Sequence, residues 1–160
     1  MFHSFFDTII IFATLGSGLM AGMFFAFSSF IMTALSQITH KNGISAMQSI
    51  NRTVLNPLFF SIFFGTAAMS GYLLVTSVTS LAWSQNSHLI IASLLYLIGT
   101  FAVTVCFNVP LNNQLANISS DPSEAEHFWK DYLKRWTFWN HLRTLASIGA
   151  MTSYILSLIG

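Results

Sequence analysis

Two long runs of the chain contain no Asp, Glu, Lys or Arg, one between Asp7 and Lys41 and the other from Thr53 to Ser120. Only 7% of the 160 residues are charged, whereas a soluble domain usually carries about 25%. A helix needs about 20 apolar residues to cross about 30 Å of hydrocarbon, so the second run holds two crossings. Because the sequence lacks the short alternating strands of a membrane barrel, the crossings are predicted to be helices.

Four apolar segments are long enough to be transmembrane helices, and a turn around Ser84–His88 separates the second from the third. They are Thr8–Leu35, Leu58–Val75, Leu89–Val109 and Leu142–Ile159. The sequence therefore predicts an all-α fold, a single four-helix domain over residues 1–160 that resides in the lipid bilayer. Small residues at four-residue spacing, such as Gly18 and Gly22, indicate close helix packing inside the bundle, with a homo-oligomer as the alternative.

All six Lys and Arg residues lie on one side of this four-span arrangement. Basic residues remain cytoplasmic when a helical bundle inserts, so we expect an integral protein of the plasma or inner membrane with both termini outside. The net charge of +1 and the absence of a basic patch interleaved with aromatics give no indication of nucleic-acid binding. The basic residues are Lys41, Arg52, Lys130, Lys134, Arg135 and Arg143.

The first basic loop is predicted to contain an amphipathic helix at the membrane surface. Residues 43–55 place Ile44 and Met47 on one apolar face, with Asn51 in its middle. Asn56 and Pro57 follow as the N-cap and the first position of span two.

The second basic loop repeats this design. Asp121 and Pro122 predict a helix start, and Trp129, Tyr132 and Trp136 follow at helical spacing. The predicted helix is amphipathic and interfacial and runs into span four, with its aromatic face at the level of the lipid headgroups.

A polar stripe runs along span three, where a polar residue recurs at every fourth position from Tyr96 to Asn108, and Asn112 continues it past Pro110. Polar side chains within hydrocarbon are costly and usually face protein or a cavity. Span four has a polar face of its own, so we predict a pocket where the two stripes meet on the cytoplasmic side. The side chains expected there are Asn51, Asn56, Tyr96, Thr104, Asn108, Asn112, Trp136, Trp139, Asn140, His141 and Arg143.

The chemistry of this predicted pocket is that of amides, one imidazole and one guanidinium, without a carboxylate. Hydrolysis by paired carboxylates is therefore not expected. Arg143 and the amides are suited to stabilise an oxyanion or enolate, and His141 is suited to take or give a proton. The chain has one cysteine, Cys106, and no inward acids to complete a metal site. No cofactor is expected, although a lone His141 leaves an axial haem ligand open.

Four segments of the chain resemble the anthrone oxygenase-like membrane family. They are "AGMFFAFSSFIMTAL" (Ala21–Leu35), "AMQSINRTVLNPLF" (Ala46–Phe59), "GTFAVTVCFNVPLNNQL" (Gly99–Leu115) and "WTFWNHLRTLAS" (Trp136–Ser147). The resemblance implies a four-helix membrane fold and, for its polyketide-pathway members, conversion of an anthrone to an anthraquinone with O2 as co-substrate. On that basis His141 would remove the ring-methylene proton, and Asn140, Arg143 and the other amides would hold the resulting oxyanion.

Three functions stay open from the sequence. The first is a cofactor-independent, O2-dependent oxidoreductase acting on an apolar phenolic or anthrone-like compound. The second is a non-catalytic membrane protein that binds a lipid, a quinone or a small anion in the same pocket. The third is a structural or assembly protein whose polar stripes only hold the helices together.

Overall fold

A computed structural model describes residues 5–79, 87–118 and 122–159. Across those three ranges the chain forms five helices and no strand, which confirms the all-α prediction. The helices are α1 (Phe5–Ser36), α2 (His40–Thr53), α3 (Pro57–Thr79), α4 (Ser87–Ala116) and α5 (Pro122–Ile159). Asp121 and most of the predicted turn around Ser84–His88 lie outside the described residues.

Four of the helices, α1, α3, α4 and α5, are long and apolar enough to cross a membrane, which confirms the four-span prediction. α1 packs against α3 and α5, and α4 packs against the same two helices, so α1 and α4 lie across the bundle from each other. α2 lies over one end and contacts α1, α4 and α5. We call this the basic end, because α2 and the first half of α5 carry all the Lys and Arg residues except Arg143.

The start of α3 follows the capping chemistry read from the sequence, whereas the cap predicted at Asp121 lies outside the described residues. Asn56 Oδ1 accepts a hydrogen bond from the Phe59 backbone N–H at 3.0 Å, and α3 begins at Pro57, so the predicted cap is confirmed. α2 buries Ile44 and Met47. α5 begins at Pro122, as expected of a proline at the first helical position.

α5 has 38 residues without a break, which at ~1.5 Å per residue is about twice the thickness of the hydrocarbon core. Its first half therefore extends beyond the apolar layer. The aromatic face formed by Trp129, Tyr132 and Trp136 is buried against α1, α2 and α4. We expected this face at the headgroups; instead, α2 and the ends of α1 and α4 cover it, and it becomes the core of the basic end.

The polar stripe of α4 stays on one face because the helix is locally widened. Two π-helical segments, Leu95–Ala102 and Thr104–Asn108, precede Pro110, and the Val109 N–H donates to Thr104 O, five residues back. In a regular α-helix a residue points about 40° away from the residue four positions before it. The wider π turn rotates through a smaller angle per residue, which offsets this change of direction. Tyr96, Thr100, Thr104 and Asn108 are all buried as a result.

Close approach of α1 and α3 depends on Gly16, where an added Cβ would overlap the Thr66 hydroxyl. Of the two glycines noted in the sequence, Gly18 faces the Met151 sulfur on α5, whereas Gly22 is exposed with no atom near its missing Cβ. Thus Gly16 is a tight helix contact that the four-residue spacing does not identify.

We expect Gly16→Ala to destabilise the bundle by about 1–3 kcal/mol, because the new methyl group must displace the buried Thr66 side chain or push α1 away from it. Gly22→Ala is the matched control, since its methyl group meets nothing. Apparent melting temperatures in one detergent, followed by near-UV circular dichroism, test this. Equal melting temperatures for the two variants would contradict the proposed tight contact.

Candidate functional site

A partly open cavity of about 120 Å³ lies at the basic end, between α1, α2, α4, α5 and the first turn of α3. Most of its wall is apolar and is formed by Met23, Phe24, Phe27, Met47, Ile50, Val54, Leu55, Phe59 and Val109. Its polar wall is formed by Asn51, Thr104, Asn108, Asn112, Trp136 and Arg143.

Arg143 is the charged group of the cavity, and only 4% of it is exposed. Its Nη2 donates to Asn140 Oδ1 at 2.6 Å, and its Nη1 donates to Thr104 Oγ1 at 3.3 Å. The guanidinium carbon lies 4.2 Å from the centre of the Phe24 ring and 5.2 Å from that of Trp136. Two hydrogen bonds and two cation–π contacts therefore hold the cation in place.

No carboxylate neutralises Arg143 within the described part of the chain. The ion pairs found there join His40 or Lys130 to Glu126 and Arg135 to Asp131, away from the cavity. The Nε of Arg143 is buried and has no hydrogen-bond partner among the described residues. A buried, uncompensated cation is costly, so a bound anion would be stabilised at this position.

Asn140 fixes the direction of the Arg143 side chain. Its Nδ2 donates to Phe24 O and to Ser28 Oγ, both at 2.7 Å. Because both amide hydrogens are used on α1, the amide oxygen is turned toward Arg143. Asn140 therefore positions the guanidinium and does not itself line the cavity.

The other amides are oriented by neighbours on α5. Asn112 Oδ1 accepts from Trp136 Nε1 at 2.8 Å and from the Tyr132 hydroxyl at 2.9 Å, which leaves its amide nitrogen as the free donor. Asn108 Nδ2 donates to Trp136 O at 3.3 Å. Asn108 Oδ1 and Asn51 Nδ2 are buried without a hydrogen-bond partner in the described structure. The cavity thus offers unsatisfied donors and one unsatisfied acceptor to a ligand.

The sequence model of the anthrone oxygenase family matches residues 58–153. The chain belongs to this family. The match confirms the resemblance noted above and includes every polar residue of the cavity wall except Asn51. Comparison with curated proteins and with solved structures found no match.

The structure brings together six of the residues predicted for the pocket and places the others elsewhere in this anthrone oxygenase family member. Tyr96 lies deeper in the bundle, where its hydroxyl donates to Phe63 O at 3.1 Å. Asn56 is exposed and caps α3. The Trp139 ring stacks on Phe107, with 3.7 Å between ring centres, outside the cavity. The six that line the cavity are Asn51, Thr104, Asn108, Asn112, Trp136 and Arg143.

His141 is exposed and lines a different, open groove between α1 and α5. Residues two positions apart on a helix point about 200° away from each other, so His141 and Arg143 cannot face the same cavity. The base role predicted for His141 thus has no support from proximity to Arg143, and it stays a prediction to be tested.

Sequence reasoning missed two contributors on α1. Phe24 lies under the guanidinium, and Ser28 anchors Asn140. The phenylalanines of this segment follow one another too closely for spacing to show which ring faces inward. The adjacent Ser28 and Ser29 were a usable signal, because a polar pair within hydrocarbon is expected to have partners.

A second space of about 290 Å³ adjoins the cavity on the side of α2. Asn51, Val54, Leu55, Val109 and Asn112 line both spaces. Small-molecule pockets usually measure about 300–1,000 Å³, a size that the inner cavity reaches only together with this neighbour. Among the described residues no group of three His, Cys, Asp or Glu side chains is placed to hold a metal ion.

We expect Asn112→Ala to lower stability by about 2–5 kcal/mol, because two partly buried donors, Tyr132 OH and Trp136 Nε1, lose their acceptor. The neighbouring Asn113→Ala is the matched control, since the Asn113 side chain is exposed. Melting temperatures of both variants in detergent test this. A control that melts as early as Asn112→Ala would show that Asn112 does not organise the site.

Proposed function

We propose that the chain is an O2-dependent oxidoreductase of the anthrone oxygenase type, which oxidises an anthrone-like phenolic compound to a quinone. The supporting observation is Arg143, a buried cation at the wall of an aromatic cavity. Arg143 forms no ion pair with a carboxylate within the described residues. Preorganised donors aimed at a developing oxyanion are commonly the largest source of enzymatic rate enhancement.

The substrate oxyanion would lie at Arg143, within reach of its unpaired Nε. Asn51 Nδ2 would donate to the same region, and Asn108 Oδ1 would accept from a phenolic hydroxyl on a neighbouring ring carbon. The rings of Phe24 and Phe27 would cover the faces of the tricyclic system. Membership of the family supports this substrate class.

The shape of an anthrone accounts for the lack of a titratable base in the inner cavity. Its carbonyl carbon and its methylene carbon occupy opposite positions of the central ring. With the oxygen at Arg143, the methylene carbon would point toward the second space beside α2. The carbon that must lose protons and meet O2 would then lie at the wetter mouth, where water can accept the proton.

The reaction balances without a further reductant or cofactor. Loss of a methylene proton gives the anthrone anion, whose charge rests largely on the oxygen held by Arg143. The electron-rich carbon forms a bond to O2, and protonation gives a hydroperoxide. Loss of water from that hydroperoxide leaves a carbonyl group. The carbon is oxidised by four electrons, and O2 supplies one oxygen atom to the quinone and one to water.

The same proposal includes an orientation in the membrane. The Lys and Arg residues of the basic end favour the cytoplasmic side, and both termini would then lie outside. The mouth beside α2 would open at the inner headgroup layer, where an apolar phenolic compound partitions.

Binding without chemistry is the second candidate function, because no residue lining the inner cavity is a general base at neutral pH. The carbonyl oxygen of a quinone, or a planar anion, would also accept hydrogen bonds from Arg143. The two candidates differ in turnover and not in affinity, so they are separable by experiment.

We expect purified wild-type protein in detergent to accelerate O2 uptake by an anthrone above its spontaneous oxidation. Arg143→Gln should lower this rate about 100-fold to 1,000-fold, the usual effect of losing an oxyanion donor. Arg135→Gln removes one exposed guanidinium from the same helix and should retain the wild-type rate. An oxygen electrode measures all three.

The folding control is the elution volume and melting temperature of each variant, and Arg143→Lys keeps the charge but loses the planar fork. Quenching of tryptophan fluorescence by a hydroxyanthraquinone, which requires Arg143 but occurs without O2 uptake, would favour the binding function. Equal uptake in Arg143→Gln and wild type would overturn the proposed oxyanion site.

For His141→Ala we expect a loss of less than about threefold, since removal of a true general base lowers rates about 100-fold or more. The reason is that His141 faces the outer groove and not the Arg143 cavity. The measurement is kcat for O2 uptake over a range of pH. A loss as large as that of Arg143→Gln would assign the base role to His141.

A further inference from the structure

The groove that His141 lines is separate from the Arg143 cavity. It has a volume of about 420 Å³, lies between the last turns of α1 and the middle of α5, and is open along its length. None of its lining residues also lines the inner cavity. α1 contributes Ser28, Met32, Thr33 and Ser36 to it, and α5 contributes Leu133, Lys134, Thr137, Phe138 and His141.

Lys134 supplies a cation without a partner to this groove. The two neighbouring basic residues of α5 are paired one turn back along the helix, Lys130 with Glu126 and Arg135 with Asp131. The residue four positions before Lys134 is Lys130 and not an acid. Lys134 forms no ion pair with a carboxylate within the described residues. No described acid lines the groove, so its charge is positive.

Hydrogen-bond donors surround this charge. The imidazole of His141 donates a hydrogen bond whether it is neutral or protonated. The Thr137 hydroxyl makes no hydrogen bond within the described residues, although threonine on a helix commonly bonds the carbonyl four residues back. An ammonium, an imidazole and a free hydroxyl on successive turns suit the oxygens of a phosphate.

The surface next to the groove is apolar. Toward the other end of the bundle, Phe138, Leu142 and Leu145 of α5 are 62%, 41% and 68% exposed. Their spacing places them along one outward strip that starts at the groove. In a membrane-spanning helix such a strip faces acyl chains. Lys134 thus lies on the headgroup side of this strip, and His141 lies beside its first residues.

We propose that this groove binds an anionic phospholipid, with its phosphate between Lys134 and His141 and its acyl chains along Phe138, Leu142 and Leu145. A soluble phosphate would engage only the polar half of the site. A lipid engages both halves, and basic pockets between transmembrane helices are known to bind anionic headgroups. The apolar strip is therefore what favours a lipid over a free anion.

Native mass spectrometry of the detergent-solubilised protein, titrated with phosphatidylglycerol or phosphatidylcholine, tests the proposal. We expect wild type to bind phosphatidylglycerol more tightly, and Lys134→Gln/His141→Gln to weaken that binding about tenfold. Lys130→Gln/His127→Gln makes the same chemical changes at exposed positions of the same helix outside the groove. This control should bind like wild type.

Three results would contradict the proposed lipid site. Equal weakening in the two double variants would show general charge attraction and overturn the site, as would equal affinity for the two lipids. Complete displacement of the lipid by millimolar inorganic phosphate would show that the groove binds a free anion and would overturn the proposed lipid site. Because all four substituted residues are exposed, unchanged elution volumes are expected and serve as the folding check.

Discussion

The site depends on the guanidinium of Arg143, which is buried and forms no ion pair with a carboxylate in the described part of the chain. Arg143 stays in place because Asn140 and Thr104 accept its hydrogen bonds and the Phe24 ring lies beneath it. Each of these partners is uncharged, so the positive charge remains available to a ligand. A carboxylate in place of Asn140 would pair with the cation and remove the attraction that we propose for a substrate oxyanion. The neutrality of the surrounding side chains therefore matters as much as the charge itself.

The polar wall opposite Arg143 depends on the backbone of α4. A polar residue at every fourth position does not stay on one face of a straight α-helix or on the seam of a coiled coil. Each step of four residues rotates the side chain away from that face. The π segments that end at Asn108 remove this rotation, and Pro110 follows where the widened turn closes. Thr104 and Asn108 thereby reach the same cavity. π segments inside α-helices often occur at functional sites, which agrees with the proposed role of this cavity.

Much of the architecture follows from sequence because membrane insertion imposes simple rules. Charge-free runs locate the first three spans, and the apolar segment Leu142–Ile159 locates the fourth. Asn56 and Pro57 locate the start of α3, and the repeat from Tyr96 locates the buried face of α4. Helix phase also limits what sequence proximity can show. Asn140, His141 and Arg143 are close in sequence, yet only the first and the third share a face. Likewise Trp129 and Tyr132 have the composition of an interfacial belt, but α2 covers them, a tertiary contact that local pattern does not encode.

α5 therefore presents two sets of polar groups to two environments. Arg143 and Asn140 point into the bundle, whereas Lys134 and His141 point toward the groove beside α1. Ser28 lies between the two sets, because its hydroxyl accepts from Asn140 and also lines the groove. Through Asn140, two hydrogen bonds of 2.7 and 2.6 Å connect this wall to the guanidinium. A coupling between the groove and the cavity through these bonds would be reciprocal, so that each ligand would change the affinity of the other by the same factor.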